Sequence, residues 1–282
     1  MDPNNPIGIF DSGVGGLSIF REIRRLLSNE NLLYVADQEH VPYGNRTLEE
    51  VQSFAEGITS FLLRMQAKLI VIACNAASAA ALQYLRQKFK EVAFVGMEPA
   101  VKPAAQLTRT QRVGVLATQA TFQSALYASV IERFASGVKV FESTCPGLVA
   151  QIEKGDLDSN DTRKILINAI QPMQKEGIDT IVLGCTHYPF VIPLIKEIAG
   201  PDINVIDPSP AVARQTQRLL EEQNLLNLQN SHGAVSLFSS ASPSILQESL
   251  HHLIGSEMKV QRVFWHRNAQ GSLQLTCNIP LR

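Results

Sequence analysis

Short runs of apolar, mostly β-branched residues recur at Ile7–Phe10, Leu32–Ala36, Leu69–Ala73, Ala93–Gly96, Arg112–Ala117, Val138–Phe141, Thr180–Gly184 and Ile203–Ile206. They are continuous rather than alternating, which is the pattern of strands covered on both faces. Between them lie segments with apolar residues at helical spacing, among them Leu17–Leu27, Leu48–Met65, Thr121–Phe134 and Asp161–Lys175. Short buried strands alternating with helices predict a parallel α/β architecture.

The pattern also repeats. Ile70-Val-Ile-Ala-Cys-Asn75 and Ile181-Val-Leu-Gly-Cys-Thr186 share one design: an apolar strand, a small residue, a cysteine and a polar residue. Each half opens alike, with Ile7-Gly-Ile-Phe-Asp-Ser-Gly13 and Val113-Gly-Val-Leu-Ala-Thr118. Two similar α/β lobes explain this most simply. The Pro-bearing segment Met97–Pro103 suits a crossing between lobes and Asp207-Pro-Ser-Pro210 a return. The expected division is therefore 1–98 plus 211–282 for a discontinuous first lobe and 99–210 for the second. Ala211–Asn224 reads as a helix, Ala234–Phe238 as a strand rejoining the first lobe, and Arg262–His266 with Leu273–Cys277 as a hairpin tail.

Composition narrows the functional classes. The chain has 282 residues, 45% hydrophobic and 18% charged, with a formal net charge of −1. That is the balance of a folded globular protein, with a core large enough for one or two domains. Lys and Arg are scattered singly, so there is no basic stripe for nucleic acid or an anionic membrane. The N-terminus lacks a signal-peptide pattern and no apolar run reaches ~18 residues, so a cytoplasmic location is expected. The four cysteines, Cys74, Cys145, Cys185 and Cys277, form no CxxC pair and are expected to be free thiols.

In open α/β sheets ligands bind outside the carboxyl ends of the strands. The polar junction residues fall at such ends: Asp11-Ser-Gly-Val-Gly-Gly16, Asp37 with Pro42-Tyr-Gly44, Cys74-Asn75, and Cys185-Thr-His-Tyr-Pro189. The glycine-rich turn is not a dinucleotide fingerprint, because GxGxxG from Gly13 would need glycine where Ser18 stands. A single cysteine is most often a packing residue. Two equivalent ones, each between a strand and a helix start, suggest reagents, since a helix N-terminus favours the thiolate. Lobes facing each other about a pseudo-twofold axis would bring both thiols to one cleft. One thiolate and one thiol there could remove a carbon-bound proton from one face and return a proton to the other. His187 could tune Cys185, and Tyr43 offers an aromatic hydroxyl held by a turn. For Asp11 and Glu153 the plain alternative is a solvated carboxylate. Cys145 and Cys277 have no counterpart and are assigned to packing.

Taken together, Asp11–Gly16, Pro42–Gly44, Ala73-Cys-Asn75 with Ala77-Ser78, and Gly184–Pro189 resemble the signature blocks of glutamate racemases, within the cofactor-independent aspartate/glutamate racemase superfamily. The likeness runs from residue 7 to about 254. It implies two flavodoxin-like lobes with the active site in the cleft between them, no cofactor and no metal, a homodimer, and supply of D-glutamate for peptidoglycan. By position, Cys74 resembles the thiol that deprotonates D-glutamate and Cys185 the one that deprotonates L-glutamate. Asp11 and His187 resemble their helpers, and Glu153 a further carboxylate near the second thiol. Asp11, Ser12, Pro42, Tyr43, Gly44, Asn75, Ala76, Thr186 and His187 match substrate-holding positions.

One position departs from the pattern. The family usually reads Cys-Asn-Thr at the first junction, and here the third residue is Ala76. A lost charge-assisted hydrogen bond of ~1.5–3 kcal/mol implies a raised KM rather than a lost activity. The alternatives are a racemase of aspartate or a related acidic amino acid, a racemase-like binding protein with weakened activity, and a cysteine hydrolase built on Cys185 and His187. The last would leave Cys74 without a role.

Overall fold

A computed structural model describes residues 1–277; residues 278–282 of the expected tail lie outside the described residues. Contacts divide the chain into two units, residues 1–97 with 210 onward, and residues 98–209.

The first unit holds a seven-stranded sheet. Its strands are β1 (Ile7–Asp11), β2 (Leu32–Ala36), β3 (Leu69–Ile72), β4 (Ala93–Val95) and, after the chain has built the second unit, β9 (Val235–Ser239), β10 (Val260–Arg267) and β11 (Leu273–Cys277). The order is β11-β10-β9-β2-β1-β3-β4. All neighbours are parallel except β10 and β11, which form the antiparallel hairpin read from the tail. The second unit carries β5 (Arg112–Ala117), β6 (Lys139–Thr144), β7 (Thr180–Gly184) and β8 (Asn204–Ile206), all parallel, in the order β6-β5-β7-β8.

The internal repeat now has a structural form. In each unit the first four strands lie in the order second, first, third, fourth. Such an order reverses between the first and third strands, and the crevice outside their carboxyl ends is where ligands bind in open α/β sheets. In the first unit that crevice is flanked by Asp11 and Cys74, which follow β1 and β3. Cys185 follows β7 in the second.

Strands β1, β2, β3 and β7 are buried along their whole length, as their unbroken apolar runs require. Three helices flank the first unit's site: α1 (Leu17–Leu26), α2 (Leu48–Arg64) and α3 (Asn75–Lys88). Thr47 and Glu50 form a reciprocal capping box that starts α2. Phe54, Ile58 and Phe61 of α2 and Leu82 and Leu85 of α3 pack on Ile70 and Ile72 of β3. Val113, Val115 and Val182 pack with Val101, Tyr127 and Val130 in the second unit.

Two expectations need correction. The helix read over Thr121–Phe134 is two helices, Gln119–Phe122 and Ala125–Phe134. Ser124 divides them, because its hydroxyl accepts the Tyr127 N–H at 3.1 Å and starts a new helix. The Met97–Pro103 crossing is also partly helical, over Val101–Leu107. Pro103 fits that helix because it lies in the first turn, where its missing N–H has no intrahelical carbonyl to lose. Among the described residues, no helix is long and apolar enough to cross a membrane.

Candidate active site

The first unit's site grows from the ends of β1 and β3. Asp11 closes β1, and its Oδ2 accepts the N–H groups of Gly13 at 3.3 Å and Gly16 at 2.8 Å, so the carboxylate organises the glycine turn that follows it. Gly16 is required there: a Cβ would fall 2.7 Å from the Asp11 Cβ and 2.9 Å from the Tyr34 hydroxyl. The hydroxyl of Tyr34 in turn donates to Gly13 O at 2.9 Å. The glycines are thus a close-packed turn around Asp11.

Cys74 is the N-cap of α3, extended in backbone, and its sulfur accepts the Ala77 N–H at 3.4 Å. A fourteen-residue helix therefore points its N-terminal dipole at the thiol, which favours the thiolate. Ser12 Oγ lies 3.9 Å from Cys74 Sγ. Asn75 begins the helix. Both polar atoms of its side chain are buried and have no hydrogen-bond partner among the described residues. Buried amides are ordinarily paired, so this one can receive a ligand with both donor and acceptor groups. Ala76, also buried in that first turn, offers no side-chain donor. Ser78 is structural: it donates to Ile72 O at 3.2 Å and accepts the Met97 N–H at 2.8 Å.

Tyr43 lies in the short 3₁₀ turn Tyr43–Asn45 behind Pro42, fully buried. Its hydroxyl donates to Asp37 Oδ2 at 2.6 Å. Burial, then the Asp37 charge and hydrogen bond, with smaller contributions from Cys74 and Asp11, hold it well above the usual tyrosine range. It stays protonated, with its one proton committed to Asp37.

The second unit's site is arranged differently, and here the expected symmetry fails. Cys185 does not begin an α-helix. Thr186 and His187 form a turn, Tyr188–Val191 is a 3₁₀ segment, and the next α-helix starts at Ile192. Pro189 sits in the first turn of that 3₁₀ segment, where its missing N–H has no intrahelical carbonyl to lose. In place of a helix dipole Cys185 has His187, with Sγ 3.8 Å from Nδ1. The other ring nitrogen, Nε2, lies 2.6 Å from Glu153 Oε1. Burial alone would push the imidazole down, but its bonds to Cys185 and Glu153 outweigh that and hold it well above its ordinary value. The result is a buried line of Cys185, His187 and Glu153 with a histidine that readily carries a proton beside the sulfur.

Sequence reasoning left the neighbourhood of Cys185 incomplete. Tyr188 and Cys145 share a hydrogen bond beside it, and both are held neutral. Burial pushes the Cys145 thiol up to about 12. It also left Asp37 without a role. Its buried carboxylate takes hydrogen bonds from Tyr43, from Ser240 and from the Trp265 indole, and faces His40 Nδ1 at 2.9 Å. Trp265 is 228 positions away, a separation that no local motif spans.

A family model for Asp/Glu/hydantoin racemases matches residues 7–216. The chain is 50% identical to a glutamate racemase of Pseudomonas paraeruginosa over 258 residues, 92% of this chain and 97% of that one. Among solved structures, a glutamate racemase isoform of Bacillus anthracis superposes with a TM-score of 0.83 at 33% identity, covering 93% and 98% of the two chains. A glutamate racemase of Francisella tularensis in complex with D-glutamate superposes with a TM-score of 0.80 at 30% identity, covering 92% and 96%.

Proposed function

The chain belongs to the Asp/Glu/hydantoin racemase family, among its glutamate racemases, and from that premise we propose that it interconverts L- and D-glutamate by moving the Cα proton between two cysteine thiols. Cys185, as thiolate, takes the Cα proton of L-glutamate. The carbanion left behind is stabilised by the carboxylate, and the Cys74 thiol delivers a proton to the opposite face. The reverse reaction starts from the Cys74 thiolate and D-glutamate. No electron is gained or lost, and each turnover exchanges which sulfur bears the proton. A cell making peptidoglycan would use the D-glutamate so formed.

The observation that carries this reading is that each unit places one buried thiol after its third strand, with a polar device beside it. For Cys74 that device is the α3 N-terminus, and for Cys185 it is His187 backed by Glu153. Asp11 and His187 serve as the helpers of the two thiols. Ser12, Asn75, Thr186, and the turn of Pro42, Tyr43 and Gly44 hold the substrate's carboxylates and ammonium. The unpaired Asn75 amide supports its part in this.

Racemisation in deuterium oxide tests the mechanism. With two bases, D-glutamate formed from L-glutamate carries solvent deuterium at Cα while the unreacted L-glutamate keeps its protium. A single base would return the original proton to part of the product and wash deuterium into the recovered substrate. Cys74→Ser and Cys185→Ser should each abolish racemisation, and a normal rate in either would end the two-thiol scheme.

A further inference from the structure

The tail hairpin lies beyond the residues matched by the family model, yet it reaches the first unit's site. Trp265, on β10, donates its indole N–H to Asp37 Oδ1 at 2.8 Å. Ser240, just after β9, donates to the same oxygen at 2.7 Å and accepts the Glu39 N–H at 3.0 Å. The opposite oxygen, Oδ2, accepts the Tyr43 hydroxyl. One buried carboxylate therefore joins the tail to the turn that carries Tyr43 and Gly44.

The place of the Trp265 ring is built with care. It packs against Phe54 and His40, with ring centroids 5.9 Å and 5.5 Å away, and His40 itself stacks on Phe54 at 4.0 Å. It also lies over Gly57 in the middle of α2, where an added Cβ would fall 2.5 Å from Cζ3. A glycine inside a helix weakens it relative to alanine, so this one is explained by the ring it admits.

We propose that Trp265 is a positioning residue for substrate binding, fixing the Asp37 carboxylate so that the Tyr43–Gly44 turn is held in one conformation. The proposal rests on the placement of that turn in the glutamate site. Without the indole and Ser240 on Oδ1, only His40 Nδ1, at 3.1 Å from Oδ1 and 2.9 Å from Oδ2, would still orient the carboxylate, and Tyr43 would have a less firmly fixed acceptor. The loosened turn would then have to be ordered by each incoming substrate, which weakens binding without touching either thiol.

Trp265→Phe keeps the ring packing and removes only the N–H. Gly57→Ala keeps every polar group and displaces the ring. Each should raise KM about threefold to tenfold in both directions and leave kcat within about twofold. Tyr43→Phe should raise KM at least as much, and Trp265→Phe on that background should add nothing, because both act through one hydrogen-bonded path. If Tyr43→Phe raises KM while Trp265→Phe and Gly57→Ala do not, the role of Trp265 is overturned and the glutamate site stands. If Tyr43→Phe itself leaves KM unchanged, the placement of Tyr43 fails. Additive effects in the double variant would overturn the shared path, since Trp265 would then act on KM independently of Tyr43. Should those variants not fold, the second donor to the same carboxylate oxygen carries the test. Ser240→Ala, which removes the other donor to Asp37 Oδ1, should then raise KM in the same way, and an unchanged KM in that variant overturns the coupling.

Discussion

The bond between Glu153 and His187 makes a quantitative demand on the racemase reaction. At 2.6 Å, with the two side chains 16% and 4% exposed, it is short and little screened by solvent. Hydrogen bonds to charged groups contribute ~1.5–3 kcal/mol, or about tenfold to about a hundredfold in rate if the bond supports an imidazolium needed for turnover. Glu153→Gln keeps a carbonyl oxygen for Nε2 and removes the charge, so the loss in kcat/KM should fall near the lower end, about tenfold. The pH profile should move as well. His187 is held above its ordinary value partly by Glu153, so in the variant the imidazolium is lost at lower pH and the alkaline limb of activity shifts downward. Initial rates by circular dichroism, from both enantiomers across the pH range, measure both effects. Because the enantiomers have equal free energies, kcat/KM must remain equal in the two directions, which checks the data internally. An alkaline limb at its original pH, with kcat/KM within about twofold of wild type, would refute the role given to Glu153. The same raised value has a stability consequence. The His187 pairing contributes fully below its unfolded value of about 6.5, and that contribution fades as pH rises through the folded value. Glu153→Gln should therefore be most destabilising in mildly acidic solution, between the usual carboxylate range and about pH 6.5, as read by denaturant unfolding at several pH values.

Three further outcomes are expected. Ala76→Thr should lower KM for glutamate by about tenfold or more with little change in kcat, since it adds a donor in the first turn of α3; an unchanged KM sinks the idea. Lys68, fully buried, is ion-paired to Glu30 and donates to Leu225 O at 2.8 Å. Lys68→Met leaves Glu30 charged and buried, and should cost about 3–5 kcal/mol in urea unfolding, much of it recovered by adding Glu30→Gln; a loss under about 1 kcal/mol contradicts this account of the pair. Cys145, with its thiol pushed up to about 12, should stay unlabelled by iodoacetamide near neutral pH in peptide mapping, and rapid alkylation would show that its burial is misjudged.

Much of this architecture is legible in one sequence because parallel strands covered on both faces must be apolar throughout, and β1, β2, β3, β5 and β7 announce themselves that way. The pairing of Ile70–Asn75 with Ile181–Thr186 was visible for the same reason, as two buried strands ending in a cysteine. The helix break at Ser124 was not, because a serine inside an apolar periodic run reads as a solvated position until its hydroxyl is seen to cap the next turn.

What surrounds each cysteine needed the fold. Residues one to three positions apart can be judged by local rules, so Cys74 at a helix start and His187 beside Cys185 could be named in advance. That Cys185 lacks an α-helix N-terminus and instead has beside it His187 bonded to Glu153, 34 positions before that histidine, depends on the 3₁₀ segment Tyr188–Val191 and on where the helix Leu148–Glu153 packs. Asp37 is the extreme case, for Ser240 and Trp265 reach it only because β9 and β10 add to the edge of β2. Local pattern determined the strands, the repeat and the candidate site residues. Tertiary packing decided which charges and hydrogen bonds those residues feel, because electrostatic partners are chosen by distance in space and not along the chain.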